Sequence, residues 1–256
     1  RKMKEIFEYR ALLIELVKRD IKKKYRRSIL GILWSMLNPF LTMLIMAMVF
    51  SSFFKFAIKN FPVYLLTGQL IFNFYSEATN TAMGSILENA SLIKKVYVPK
   101  HIFPIAKVLS SCVNFILSLP GLVLVILITK APVKFSIIFS IIPVLYVLFF
   151  CLGIGLLLAS VTVYFRDMFH LYGVLLTAIS YLTPLFYPKE IVPEQYMFLL
   201  NLNPMVYFVD LFRDMVYYGK IPTLDEHLNC IFIIIISLFI GVVTFNMNKK
   251  KFILHI

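Results

Sequence analysis

The stretch Lys22–Pro39, KKKYRRSILGILWSMLNP, decides how the rest of the chain is read. It opens with the cations Lys22, Lys23, Lys24, Arg26 and Arg27. By Leu30 it has become an apolar run that continues almost unbroken to Phe54. A basic cluster beside an uncharged apolar run marks a membrane span whose charged flank stays in the cytoplasm. The run Leu30–Phe54 reaches roughly 37 Å at about 1.5 Å per residue, enough to cross a bilayer with tilt. Pro39 is expected to kink it.

Composition supports the same reading. Of 256 residues, 60% are hydrophobic and only 15% charged, and the mean hydropathy is +0.85. One water-soluble core cannot bury that excess, so lipid must be the solvent for much of it. A net charge of +13 could point to nucleic acid. The cations instead cluster at the ends of apolar runs, which the positive-inside bias and anionic headgroups explain without a nucleic-acid partner. Cys112, Cys151 and Cys230 all lie inside apolar runs without CxxC spacing and read as packing residues.

Working outward, residues 3–21 read as an amphipathic helix, with Ile6, Leu13, Val17 and Ile21 on one side and Glu8, Glu15, Lys18 and Lys22 on the other. Its charges exclude a span, so it is expected at the interface or against cytoplasmic protein. Phe61–Leu87 reads as a weaker second span. Gln69, Asn73, Glu77, Asn80 and Gly84 recur three or four apart and form one polar stripe, which must face helices, a partner or a water-filled path. Gln69, Asn73 and Glu77, with nearby Phe72 and Tyr75, are candidates to line such a path. Interhelical hydrogen bonding is the plainer alternative. The segment 88–101, ENASLIKKVYVPKH, reads as a cytoplasmic turn with a short helix whose apolar face is Leu92, Ile93, Val96 and Tyr97, ended by Pro99.

Pro104–Thr129 is the expected third span, with Lys107 snorkelling at its cytoplasmic end, and Phe135–Phe165 the fourth. Arg166 and Asp167 follow, placed to complement helix ends, Asp167 as the cap of the next helix. His170–Tyr187 is the fifth span. Segment 188–222 is aromatic and apolar in short pieces, Ile191–Leu202 and Met205–Tyr218, divided by Asn203 and Pro204 in the order of an N-cap and a first-turn proline. It reads as two short re-entrant helices at the outer face. Within the second, Asp210, Arg213 and Asp214 are spaced for an intrahelical ion pair. Thr223 and Glu226 have capping-box spacing for the last span, Leu228–Asn246. Asp225, Glu226 and His227 read as that cap and a solvated loop rather than as metal ligands. The layout is all-α and polytopic, with six spans and both termini cytoplasmic. Nineteen of the basic residues then fall inside and seven outside.

No Walker loop, HExxH, GxSxG or Cys/His cluster occurs, so no catalytic or metal residue is assigned and the chain itself binds no cofactor. The aromatic residues, 16% of the chain, serve mainly as anchors and packing, although aromatic faces also stack on sugar rings.

RDIKKKYRRSILGILWSMLNP (Arg19–Pro39), LIKKVYVPKHIFP (Leu92–Pro104), FRD (Phe165–Asp167) and the TPLFYP, NLNP and LFRDMVYYG pieces of Thr183–Gly219 resemble the permease subunits of ABC-2 type polysaccharide exporters, the family that exports O-antigen, capsule and teichoic acid. Each piece is weak alone; in sequence they cover nearly the whole chain. The resemblance implies one transmembrane domain over 1–256 in the plasma (inner) membrane of a bacterium. It implies a homodimer on two copies of a separate ABC ATPase subunit that binds ATP and Mg, and a lipid-linked glycan as cargo. By the same resemblance, the N-terminal helix and basic turn (1–27) and the loop Leu92–Pro99 dock on the ATPase, and 188–222 forms outer gate helices; Glu88, Lys94 and Lys95 are candidate contacts at that docking surface. The alternatives are an ABC-2 exporter of lipids or drugs and a membrane-embedded glycosyl- or acyltransferase. The latter needs a catalytic carboxylate or histidine constellation that Glu77 alone does not supply.

Overall fold

The structure, a computed structural model, describes residues 9–26, 28–54, 58–252 and 255. The first residues of the expected amphipathic helix, through Ile6 and Glu8, lie outside the described residues, as do Arg27 and Lys55. Helices and turns make up all regular structure among the described residues. In order these are α1 (Arg10–Tyr25), α2 (Leu33–Phe54), α3 (Phe61–Glu88), α4 (Ala90–Lys95), α5 (Ile102–Ile128), α6 (Ile141–Thr162), α7 (Met168–Leu182), α8 (Met197–Leu202), α9 (Pro204–Arg213) and α10 (Leu224–Asn248).

The stretches Leu33–Phe50, Ile102–Ile128, Phe135–Thr162 and Leu224–Asn248 are long and apolar enough to cross a membrane. The protein is therefore a polytopic helical membrane protein. α3 is long enough, about 42 Å, but its polar stripe dilutes its hydropathy. It tolerates the stripe because it stands at the centre of the bundle, packed on α2, α5, α6, α7 and α9, and is buried through most of its length. α7 is apolar but short, roughly 22 Å against a hydrocarbon core of about 30 Å.

Several expected boundaries shift for local reasons. α2 starts at Leu33 rather than Leu30 because Gly31 takes φ +50°, with its N–H bonded to Ser28 Oγ, and makes a turn between the basic cluster and the span. Phe135–Ser140 is a 3₁₀ turn leading into α6. α7 begins at Met168 and ends at Leu182, before the extended Thr183 that precedes Pro184. The expected helix Ile191–Leu202 is two 3₁₀ turns, Lys189–Ile191 and Glu194–Tyr196, followed by α8. The second outer helix is as anticipated: Asn203 Oδ1 accepts the Met205 N–H at 3.0 Å, with Pro204 in the first turn. It ends in a π turn, Asp214–Tyr218. Thr223 and Glu226 form their capping box at the start of α10.

Candidate functional site

The polar stripe of α3 forms one wall of a cleft of about 630 Å³. Helical spacing puts Gln69, Asn73, Glu77 and Asn80 on that wall. α2 supplies a second wall through Ser35, Asn38 and Thr42, and α5 a third through Ser111, Asn114 and Ser118. Both triplets have i, i+3, i+7 spacing, so each helix turns one polar stripe toward the same space. Lys24 and Tyr25, from the end of α1, and Trp34 also line it, with apolar patches at Pro39, Leu70, Phe74 and Phe115.

The charge in this cleft is paired. Glu77 Oε1 accepts from Lys24 Nζ at 2.7 Å and from Asn114 Nδ2 at 2.6 Å, while Tyr25 O–H donates to Asn114 Oδ1 at 3.2 Å. The carboxylate thus joins α1, α3 and α5. Gln69 is different: only 8% exposed, it lines the cleft with an Oε1 that has no hydrogen-bond partner. A buried acceptor left in that state costs stability and is open to a donor from a bound group. Phe72 and Tyr75 do not join the stripe. Both turn into the core, Tyr75 stacking on Phe150 and accepting from Tyr172 O–H at 3.3 Å. One and two residues from Asn73, they are turned roughly 100° and 200° away from it around the helix.

The α1–α3–α5 contact continues at the end of α3 that leads into α4. Lys107 does not snorkel: its side chain is 11% exposed and pairs with Asp20 at 3.3 Å and with Glu88 at 2.8 Å. Glu88 is thus held within the chain. Arg19 Nη1 donates to Asn89 Oδ1 at 3.1 Å. Beneath these pairs Leu16, the buried residue of α1, packs with Ile86, Ile93, Ile102 and Phe103.

α4 stops at Lys95, earlier than the periodicity predicts, because Val96 is already extended on the approach to Pro99. Ile93 is buried and Leu92 partly so, whereas Lys94, Lys95, Val96 and Tyr97 are exposed, Tyr97 at 95%. The expected single apolar face is thus divided: Ile93 packs inward, and Val96 and Tyr97 stand outside the bundle. Arg166 and Asp167 lie exposed in the turn between α6 and α7. Asp167 occupies the N-cap position, but its side chain bonds no helix N–H, which corrects the expected cap.

At the far end of the bundle the expected intrahelical pairing of Arg213 is replaced by a longer-range one. Arg213 is 2% exposed, and its guanidinium lies over the Tyr64 ring at 3.7 Å. It donates to Pro184 O at 2.6 Å, Leu185 O at 3.0 Å and Tyr64 O at 3.2 Å, and to the Tyr64 hydroxyl at 3.1 Å. Asp210 pairs instead with Lys189 at 2.9 Å. Asp214 is pushed up to about 6, first by burial and then by the negative charges of Glu226 and Asp210. Glu226 is committed to the α10 cap, and His227 Nδ1 lies 3.2 Å from the Tyr146 hydroxyl. Among the described residues no cluster could hold a metal ion.

The wall residues of α2 and α5 escape the sequence reading, although their spacing is the same signal that singles out α3. In apolar runs a few Ser, Thr and Asn do not break the hydropathy, so only the shared cleft brings them out.

Residues 11–217 match the ABC-2 type transporter family. The chain belongs to that family. The chain is similar to the O-antigen export system permease protein RfbA of Myxococcus xanthus, 31% identical over 98% of both chains. A permease of the same name from Klebsiella pneumoniae is 25% identical over 94% of this chain and 93% of its own. The polysialic acid transport protein KpsM of Escherichia coli is 26% identical over 95% of this chain and 96% of its own.

Proposed function

We propose that this chain is the membrane-spanning subunit of an ATP-driven exporter that carries a lipid-linked polysaccharide out across the plasma membrane. The observation that carries the reading is the cleft with hydroxyl and amide groups on three helices inside an otherwise apolar bundle. A row of neutral hydroxyl and amide groups suits the hydroxyls of a sugar chain, whereas an apolar cargo would leave the buried Gln69 Oε1 without a donor. Relatives named for O-antigen export and polysialic acid transport support the same cargo class.

In this reading α3 and α7 also traverse the bilayer, giving six spans with both termini cytoplasmic, and the chain works as a homodimer above two copies of an ABC ATPase that holds ATP and Mg. Hydrolysis belongs to that partner, and this chain is not an enzyme. The push from the partner enters through Leu92–Pro99 and α1. The exposure of Lys94, Lys95, Val96 and Tyr97 beside an α1 tied to α3 and α5 supports this route. Gln69, Asn73 and Glu77 face the path, and 188–222, held by Arg213, gates its outer end.

The test is ATPase stimulation of the reconstituted complex by purified lipid-linked glycan. Val96→Asp with Tyr97→Asp is expected to abolish the stimulation while leaving assembly of the bundle intact, since both side chains lie outside it. Undiminished stimulation overturns the coupling route. Stimulation of the unaltered complex by lipids or drugs but not by glycolipid overturns the cargo.

A further inference from the structure

The last turns of α1 carry cations on two faces with different surroundings. Toward the bundle Lys24 pairs with Glu77 and Arg19 with Asp20, while Lys107 of α5 meets Asp20 and Glu88; Lys23 lines the same side without an ion pair among the described residues. On the other face Lys22 and Arg26 have no ion pair among the described residues, and Lys18 meets only the exposed Glu15 of its own helix. Lys18, Lys22 and Arg26 recur every four residues and rim a second, open groove of about 680 Å³ between α1 and the start of α2. Its floor is apolar, with Ile21, Leu30 and Leu33 among its lining residues. Tyr25 lines both this groove and the polar cleft, so the two spaces meet at one side chain.

Three chemistries therefore follow one another across a short distance. An apolar floor comes first, then a rim on which Lys22 and Arg26 have no carboxylate partner among the described residues, then past Tyr25 a cleft of hydroxyls and amides in which Gln69 keeps a buried acceptor without a donor. The order matches an amphiphile made of a lipid chain, a phosphate and a sugar. We propose that this groove seats the lipid-phosphate end of the cargo, with Lys22 and Arg26 on the phosphate oxygens, the lipid chain along Leu30 and Leu33, and the first sugar passing Tyr25 into the cleft. The proposal rests on the exporter reading and adds a recognition site to it. Lys24 marks the boundary: it already holds an anion, Glu77, at 2.7 Å. An arriving phosphate meets the cations outside that pair and need not break it. A bilayer phospholipid would satisfy the floor and the rim but leaves the continuity with the polar cleft without a use.

The sequence has one tryptophan, and Trp34 lies in the cleft lining next to Leu33 of the groove, so its fluorescence reports on both. The full chain in neutral detergent is titrated with a polyprenyl diphosphate carrying one N-acetylhexosamine. A saturable change in Trp34 emission is expected. Lys22→Gln with Arg26→Gln should weaken binding by about tenfold or more, the size of a lost charge-assisted contact. Lys22→Arg with Arg26→Lys, which keeps the charge and guards against a folding defect, should restore it. Unchanged affinity in the glutamine pair overturns the proposal, as does equal binding of the unphosphorylated polyprenol. Competition by phosphatidylglycerol at the same concentration also overturns it and makes the groove a bilayer-lipid site. If the glutamine pair retains full glycolipid-stimulated ATPase activity in the complex, the groove assignment fails while the exporter reading stands. A wild-type complex that glycolipid does not stimulate fails the exporter reading itself.

Discussion

Arg213 carries a positive charge into a site from which water is nearly absent, and among the described residues it forms no ion pair. Desolvating a guanidinium costs several kcal/mol unless its donors are met. Here carbonyl oxygens of Tyr64, Pro184 and Leu185, the Tyr64 hydroxyl and the Tyr64 ring meet them. The planar fork reaches two chain segments at once, which a lysine cannot do. Arg213→Met should therefore destabilise the purified protein by about 3 kcal/mol, because it leaves buried carbonyls without donors. Arg213→Lys should recover only part of that loss. Thermal unfolding in detergent measures both, and equal melting temperatures for wild type and Arg213→Met would remove the staple from the account. In the sequence Arg213 stands three residues from Asp210, and local spacing favours an ion pair between them. The tertiary fold instead brings the backbone after α7 within reach, and Asp210 turns to Lys189.

At the scale of elements, α6 and α10 pack backbone against backbone. A Cβ on Gly153 would lie 2.5 Å from the carbonyl carbon of Ser237, and a Cβ on Gly241 would overlap the Gly153 carbonyl oxygen. Small residues allow such close approach between helices in lipid, where the hydrophobic effect does not drive them together. Gly153→Leu should force the pair apart at a cost of about 1–3 kcal/mol or more, seen as a lower melting temperature and lost assembly with the ATPase. A variant as stable as wild type would show that this contact is not needed. The sequence placed α6 and α10 correctly as apolar runs, but nothing in it paired them. α3 makes the converse point. Its polar stripe was legible from spacing alone, yet which neighbours it faced was not, and Phe72 and Tyr75, near it in sequence, belong to the core.

At the scale of the molecule, the layout of charge predicts which ends face the cytoplasm. Single cysteines placed at Lys130 and Lys220 in a background lacking Cys112, Cys151 and Cys230 should react with an impermeant maleimide in intact cells or spheroplasts. Cysteines at Lys95, Arg166 and Lys250 should react only after permeabilisation. Labelling of Arg166 from outside would break the six-span arrangement, since it would leave both ends of α6 on the outer side, and a Lys220 cysteine that reacts only after permeabilisation would mean that α7 does not cross. Membrane residence, helical class and family were decided by sequence, because hydropathy and flanking charge act through solvent and need no knowledge of neighbours. The stretch Lys22–Pro39 belongs to that part as the basic flank of the first span. Its second character came only with the fold. One face of its cations is tied to Glu77 of the cleft and the other stands open on the groove. Helical spacing specifies which residues share a face, but only packing of α1, α2, α3 and α5 decides what each face meets.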